Sequence, residues 1–461
     1  MERTTDARRT PEAREKRSRW FKPVLGTSAV VVLLAAAGAY GFLMHAHEIF
    51  PYEILKSGYH RLFPRAPHAT KPVARHVHTA PDSIQRLANL PYLQGYRRAD
   101  EGKVIRVYDP ERAANGLNLF ASGHAPVATL MDMEGKVVRT WTADAARAFP
   151  GISAHQKRHS GFLRRVHLFS DGSILALFDD LGLVHLDADS QVLWAFAERT
   201  HHDLFVDGQG EIWVISRQLN PAPELKREKP IWEDFILKLS PEGKLLQRLS
   251  VLQCFLHSAY APLLANPSPM LHDILHTNSI RVLDGSLAGR SPLFRRGNLL
   301  ISLKALNTVA VVDPEAKTVV WALTGQWYAQ HSARLLASGN LLLFDNLGLM
   351  RPASRILEIA PFSQKVVWSF GGSAGEEMLS ETSGFVDRLS NGNTLITESN
   401  MGRVLEVTPD RRIVWEFVNP NRVGTDHKTA TIYEMERVPS GLAFPMPSGE
   451  PKKGRAARPS P

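Results

Sequence analysis

With a single cysteine, Cys254, this chain of 461 residues cannot close an internal disulfide, so no covalent framework sets its fold. Among the apolar neighbours Leu252, Phe255 and Leu256 that thiol reads as a packing residue. Charge of one sign is scarce where it would matter. The formal charge is +9, but residues 1–22 hold eight basic against four acidic side chains, and residues 451–461 add four basic and no acidic ones. The body between these tails is nearly neutral, which excludes a basic face for nucleic acid. Helical stretches are few and strands do not alternate with helices, which excludes a parallel α/β fold.

One long apolar run is present. Residues 25–44 form an uncharged stretch of twenty, enough to cross roughly 30 Å of hydrocarbon as a helix. Arg14, Lys16, Arg17, Arg19 and Lys22 precede it, so residues 1–24 are expected in the cytoplasm and everything after Met44 outside. A signal peptide ending at Met44-His45-Ala46 competes, but the run exceeds a usual signal core and favours an uncleaved anchor. The expected location is the inner (plasma) membrane, single-pass, with the body on the periplasmic or extracellular side. Residues 45–100 are expected as a juxtamembrane linker, 101–437 as the folded domain, and 438–461, rich in Pro, Gly, Lys and Arg, as a disordered tail.

The folded body repeats. An apolar pair runs into tryptophan at Val319-Val320-Trp321, Val366-Val367-Trp368 and Ile413-Val414-Trp415, with spacings of 47 and 47 residues. Val192-Leu193-Trp194 and the looser Val137-Val138-Arg139-Thr140-Trp141 extend the series backwards. Before the tryptophans come turns such as Leu239-Ser240-Pro241-Glu242-Gly243-Lys244, Val312-Asp313-Pro314-Glu315 and Val407-Thr408-Pro409-Asp410. Four strands in about 45 residues is the size of one propeller blade. Six such units predict an all-β, six-bladed β-propeller preceded by one N-terminal transmembrane helix. The tryptophans are expected to fill the space between blades. Two units carry insertions, at 218–233 and 287–296, expected to rim one propeller face.

Three histidines share one frame of this repeat. His331 stands eight positions before the turn glycine Gly339, His202 eight before Gly210, and His276 nine before Gly285. The innermost strand of each blade lines the central channel, so the three are expected to converge from three blades. Arg164 and Gly384 occupy the same place in two other units. His201 is expected to point away from His202, because successive strand residues alternate. An imidazole cluster suits metal binding, acid–base work or histidine nucleophilic catalysis. No His-x-His or Glu-x-x-His spacing surrounds these three, and Asp203, Asp273 and Asp345 fall outside the channel register, so no metal is expected.

These residues resemble the bacterial aryl sulfotransferases (arylsulfate sulfotransferases). The resemblance rests on His201-His202-Asp203, on Asp273-Ile274-Leu275-His276-Thr277-Asn278-Ser279, and on Gln330-His331 with Phe344-Asp345-Asn346. Gly116-Leu117-Asn118-Leu119-Phe120 and Leu130-Met131-Asp132 add to it. It implies a six-bladed propeller that moves a sulfuryl group from a phenolic sulfate ester to a phenol through a sulfuryl-histidine intermediate, without nucleotide or cofactor. His331 matches the nucleophile, His276 and Asn278 the pair lining the site, and His202 the remaining channel histidine. Lys304 stands where the family carries an arginine, keeping charge but not the planar fork. Two alternatives stay open: a membrane-anchored binding or scaffold propeller without activity, and a quinoprotein-like propeller. The second would need calcium-binding acids at the channel.

Overall fold

The computed structural model describes residues 94–98, 102–153, 156–265, 272–348, 353–424 and 427–439. The expected cytoplasmic segment, the apolar run at 25–44 and the basic tail beyond residue 439 lie outside the described residues. Among the described residues, no helix is long and apolar enough to cross a membrane. Those residues fall within one compact unit, His78–Pro461.

The expected propeller is there. Six antiparallel sheets follow one another along the chain. Blade 2 runs through Arg165–Leu168, Ile174–Phe178, Gly182–Leu186 and Val192–Ala197. Blade 3 comprises Thr200–Val206, Ile212–Asn220, Ile231–Leu239 and Leu245–Ser250; blade 4 comprises Thr277–Val282, Leu299–Leu303, Thr308–Asp313 and Thr318–Thr324. Blade 5 holds His331–Leu335, Leu341–Asp345, Arg355–Ile359 and Val366–Phe370, and blade 6 Phe385–Arg388, Thr394–Glu398, Arg403–Val407 and Ile413–Val418. An added outer strand, Ile105–Tyr108, pairs with Ile413–Val418.

Blade 1 closes the ring. Its outer three strands are Leu117–Ser122, Val127–Met131 and Val137–Thr142, but its innermost strand is the late segment Ile432–Val438. Met435 pairs with Phe120 and Val438 with Leu117. This extends the folded domain to Val438. The expected linker also needs correction, because Gln94–Arg98 is a strand that pairs with Lys428–Ala430.

Leucine, isoleucine and valine dominate the second and third strands because those strands are covered by neighbouring blades on both faces. Leu175, Leu177 and Leu183 of blade 2 interlock with Leu204, Ile212, Val214, Leu237 and Leu239 of blade 3, all fully buried. Each such side chain contributes roughly 1.5–3 kcal/mol. The tryptophans clasp neighbouring blades, as expected. Trp141 donates its indole N–H to the Gly172 carbonyl at 3.1 Å, Trp368 to Pro409 at 2.9 Å and Trp415 to Met133 at 2.9 Å. Trp194 lies so close to Gly243 that a Cβ there would meet its ring at 2.6 Å. With φ at +79° as well, only glycine suits that turn. Cys254 sits fully buried in the short helix Val251–Leu256, and burial pushes its thiol up to about 12.

The two insertions do not rim one face. Successive blade strands run in opposite directions, so the connection after the second strand opens on the face where the innermost strands begin, and the connection after the first strand opens on the other. The 218–233 insertion lengthens the hairpin of Ile212–Asn220 and Ile231–Leu239, whose paired residues run on past Ser216, the partner of Thr200. That hairpin therefore projects on the face of the histidines. The 287–296 insertion separates the first two strands of blade 4, with Leu283 N–H donating to Asn298 O at 2.8 Å across its base. It lies on the opposite face.

Candidate active site

His202, His276 and His331 meet at one mouth of the channel. The His202 and His276 rings have centroids 4.7 Å apart, and His202 and His331 6.3 Å. Local backbone geometry brings them there. His202 and His276 adopt positive φ, +60° and +49°, as does Ser332 beside His331 at +54°. The ladders of blades 3, 4 and 5 lose register at these points, between Thr200 and Leu204, Thr277 and Ser279, and His331 and Arg334. Such bulges re-aim side chains, and holding non-glycine residues left-handed costs roughly 1–3 kcal/mol each. Three such residues stand in the site, one in each of the three blades that supply a histidine.

The same bulge overturns the expectation for His201. It does not turn away: its Nδ1 lies 2.7 Å from Nδ1 of His202, and its Nε2 lies 3.5 Å from Asp234 Oδ1. Alternation presumes extended backbone, and His202 is not extended.

His331 is held by a network that fixes its tautomer. Its Nδ1 contacts Asn346 Oδ1 at 2.8 Å and the Ala329 carbonyl at 3.1 Å. Asn346 donates its Nδ2 to the carbonyls of Ser380 and Ser383 at 2.5 and 2.9 Å, so its oxygen must face the imidazole. Both neighbours of Nδ1 are acceptors, hence Nδ1 carries the proton and Nε2 keeps its lone pair. That Nε2 is buried without a hydrogen-bond partner. Burial, then the nearby Lys304 and Arg164 charges, hold the imidazole well below its ordinary pKa despite the Asn346 contact. His202 is likewise held well below, by burial and by Arg164, His276 and His201.

His276 is built differently. Its Nδ1 donates to Asp273 Oδ2 at 2.6 Å, which leaves Nε2 for the site. Burial works to raise the Asp273 carboxyl, but the hydrogen bond with His276 and the charges of His276, His201 and Arg217 hold it below the usual range. Asn278 donates Nδ2 to the Gln330 carbonyl at 2.8 Å, and its Oδ1 is buried without a partner. Gln330 is itself fixed by donation to Ser302, Leu303 and Thr308. Lys304 is half-buried just beyond Leu299–Leu303, with its N–H on the His276 carbonyl at 3.0 Å. Burial, and the Arg164 charge, lower its ammonium pKa against the pull of Asp273.

A small cavity of about 30 Å³ lies among them, lined by His202, His331, Asn278, Arg164, Ser383 and Tyr433 among others. Arg164 and Gly384 stand in the channel as their repeat positions predict. A Cβ on Gly384 would meet the Phe344 ring at 2.6 Å, so glycine lets the backbone of that wall pack directly on the core. Asp273, Asn346 and Tyr433 were not singled out as site residues in the sequence. Asn346 and Asp273 lie inside motifs that were read for their histidines. Tyr433 had no signal, because it belongs to the strand that closes blade 1 from far along the chain. Among the described residues no group of three or more His, Cys, Asp or Glu side chains is placed to hold a metal ion.

The family model for arylsulfotransferase (ASST) matches residues 165–420, more than half of the chain and five of the six innermost strands. The chain belongs to the arylsulfotransferase family. Aryl sulfotransferase activity in general goes with that membership. No curated protein matches the chain. Solved structures resemble the chain only at low identity. A protein of unknown function from Bacteroides caccae is 14% identical over 70% of this chain and 98% of its own, with a TM-score of 0.46. The virginiamycin B lyase of Staphylococcus aureus is 10% identical over 56% of this chain and 69% of its own, with a TM-score of 0.34. BamB from Moraxella catarrhalis is 10% identical over 74% and 97%, with a TM-score of 0.34.

The buried neutral imidazoles of this arylsulfotransferase should make its stability fall in acid. An unfolded chain binds protons at His202 and His331 below about pH 6.5, whereas the folded chain resists until well below that value. Stability from these rings is flat above pH 6.5 and declines as pH falls beneath it, by up to about 1.4 kcal/mol per pH unit for each ring. Denaturant midpoints at pH 7.5 and pH 5.5 measure this; a higher midpoint at pH 5.5 would contradict the neutral assignment.

Proposed function

We propose that the protein moves a sulfuryl group from a phenolic sulfate ester to a phenol through a sulfuryl-histidine on His331, without a nucleotide donor. The observation that carries this reading is the unpartnered Nε2 of His331, a lone pair held in a cavity by a proton locked on Nδ1. In the first step the Nε2 lone pair attacks sulfur, the S–O bond to the aryl group breaks, and its electron pair leaves on the phenolate oxygen. In the second step a phenol oxygen attacks the same sulfur, the N–S bond breaks, and the pair returns to Nε2.

His276 is the proton carrier in this scheme. Its Nε2 gives a proton to the leaving phenolate, stays neutral while the sulfuryl group is on His331, and takes a proton from the incoming phenol; Asp273 on Nδ1 supports the ring when it carries the extra proton, before the first step and after the second. The buried Asn278 Oδ1 supports the second step as an acceptor for the phenol hydroxyl. Sulfuryl transfer, like phosphoryl transfer, spreads charge over non-bridging oxygens, so donors fixed around them lower the barrier. His202 is assigned to this task, with Lys304 adding positive charge near His331.

The expected result is ping-pong kinetics with 4-nitrophenyl sulfate and phenol as the only additions. Without phenol, the intact protein should gain the mass of one sulfuryl group, mapped to His331. Turnover with no covalent adduct, and initial-rate lines that intersect instead of running parallel, would refute the intermediate.

The location is also proposed, from the apolar run at 25–44 and the basic residues before it: an anchor with the propeller on the periplasmic or extracellular side. A reporter joined behind Val438 should then be active only outside the cytoplasm; activity inside would reverse the orientation.

A further inference from the structure

We propose that Arg164, not Lys304, is the anion clamp of this site, its guanidinium gripping the oxygens of the sulfate ester in the cavity. The inference rests on the sulfuryl-transfer reading and assigns the part of its machinery that Lys304 fills poorly. Arg164 immediately precedes the innermost strand of blade 2, the register of the three histidines, and its N–H donates to the Leu177 carbonyl at 2.8 Å. Its side chain is only 8% exposed and lines the same cavity as His202, His331 and Asn278.

It has no counter-ion among the described residues. Its guanidinium makes one hydrogen bond, Nη1 to Ser383 Oγ at 3.3 Å, and lies over the Tyr433 ring at 4.4 Å. Among the described residues no carboxylate forms an ion pair with it. The two acids on the cavity wall are taken: Asp203 by Arg165 and Arg281, and Glu434 by Arg165. A buried cation without an anion is strongly disfavoured unless a ligand completes it. Most of the fork is free of protein acceptors, and the aromatic beneath it holds its plane in the cavity.

Lys304 differs in position and in shape. It does not line the cavity, and the charge that acts on it most favourably is that of Asp273, the partner of His276. It is a point charge with no planar fork, whereas a guanidinium meets two oxygens of one sulfate at once. The ligand class is therefore a sulfate monoester or inorganic sulfate. No proton moves at Arg164 during transfer; it stays cationic while negative charge shifts from the ester to the phenolate.

The test uses the full-length protein in detergent, with sulfate binding read by calorimetry and transfer read separately. Wild type should bind inorganic sulfate, and Arg164→Gln should weaken that binding at least about 10-fold and lower kcat/KM on the order of 100-fold. Arg164→Lys, which keeps charge, should recover binding only in part, and Lys304→Gln should cost less than Arg164→Gln in both readouts. Without sulfate, the unfolding midpoint of Arg164→Gln should equal or exceed that of wild type, because a counter-ion-free cation has been removed. Sulfate binding unchanged in Arg164→Gln, or abolished by Lys304→Gln alone, would overturn the clamp, as would wild type that binds no sulfate. If sulfate binding follows Arg164 but wild type transfers nothing, the clamp stands and the transfer reading falls. If Arg164→Gln transfers with unaltered kcat/KM, the reverse holds.

Discussion

His331→Ala should lower transfer from 4-nitrophenyl sulfate to phenol on the order of 10⁴-fold or more, with the fold retained. The expectation follows from what the ring alone provides. Its Nε2 is the one lone pair in the site whose opposite nitrogen is locked as a donor onto two carbonyl oxygens, of Asn346 and Ala329. Truncation removes that nucleophile and leaves Asn346 Oδ1 without its donor, a stability cost of about 1–3 kcal/mol. Because a folding defect would also lower the rate, the decisive measurement is rescue. Alanine opens space at the end of a polar cavity, so free imidazole should restore nitrophenolate release by taking the sulfuryl group itself. Rescue by imidazole but not by an amine of similar size would identify the missing group as a nucleophile. A folded His331→Ala protein with wild-type rates would remove His331 from the mechanism.

The second large effect is on stability. Behind the catalytic cavity, Arg165 on the innermost strand of blade 2 binds Glu434, Asp203 at 3.1 Å and Glu436 at 2.8 Å. Asp203 also accepts from Arg281 at 2.7 Å and from the Ile280 N–H at 3.0 Å. One buried guanidinium thus joins blade 2 to blade 3 and to the closing strand of blade 1. Burial alone would lower its pKa, but the Glu436 and Asp203 charges raise it overall, so it remains a cation. Arg165→Met should destabilise the protein by roughly 3–5 kcal/mol at pH 7, because the carboxylates stay buried without their counter-charge. Those stranded acids take up protons more readily in the folded variant than in the unfolded chain. The deficit should therefore shrink as pH is lowered, opposite in direction to the effect of the buried histidines. Denaturant midpoints of both proteins across pH 5 to 7.5 test this; equal midpoints at pH 7 would show that the network does not hold the ring together.

The repeat was legible because it is local. Each blade is a run of short strands and tight turns, so its pattern appears within about 45 consecutive residues. The closing strand Ile432–Val438 was not, although it belongs to the same ring. Glu434 and Glu436 break its apolar character, because its side chains meet Arg165 in the channel and not a hydrocarbon core. The partner of Gln94–Arg98 lies equally far along the chain, and pairing at that distance leaves no periodicity to read. His201 departs from its expected direction for the opposite reason: a positive φ at His202 suspends the local rule of alternation.

The sequence by itself determined that this is a propeller and that His202, His276 and His331 share one channel position, since a repeated frame places equivalent residues around an axis. The family resemblance, not the repeat, put Lys304 beside that site, with its charge lacking the planar fork of an arginine. Only the tertiary structure decided which nitrogen of His331 is free, because the tautomer depends on Asn346, fifteen residues on and oriented by Ser380 and Ser383 of the next connection. It alone set Arg164 against the cavity without an acid, since Asp203 and Glu434 are claimed by arginines from other blades. Type and register are written along the chain. Pairing and charge compensation arise only where distant strands meet.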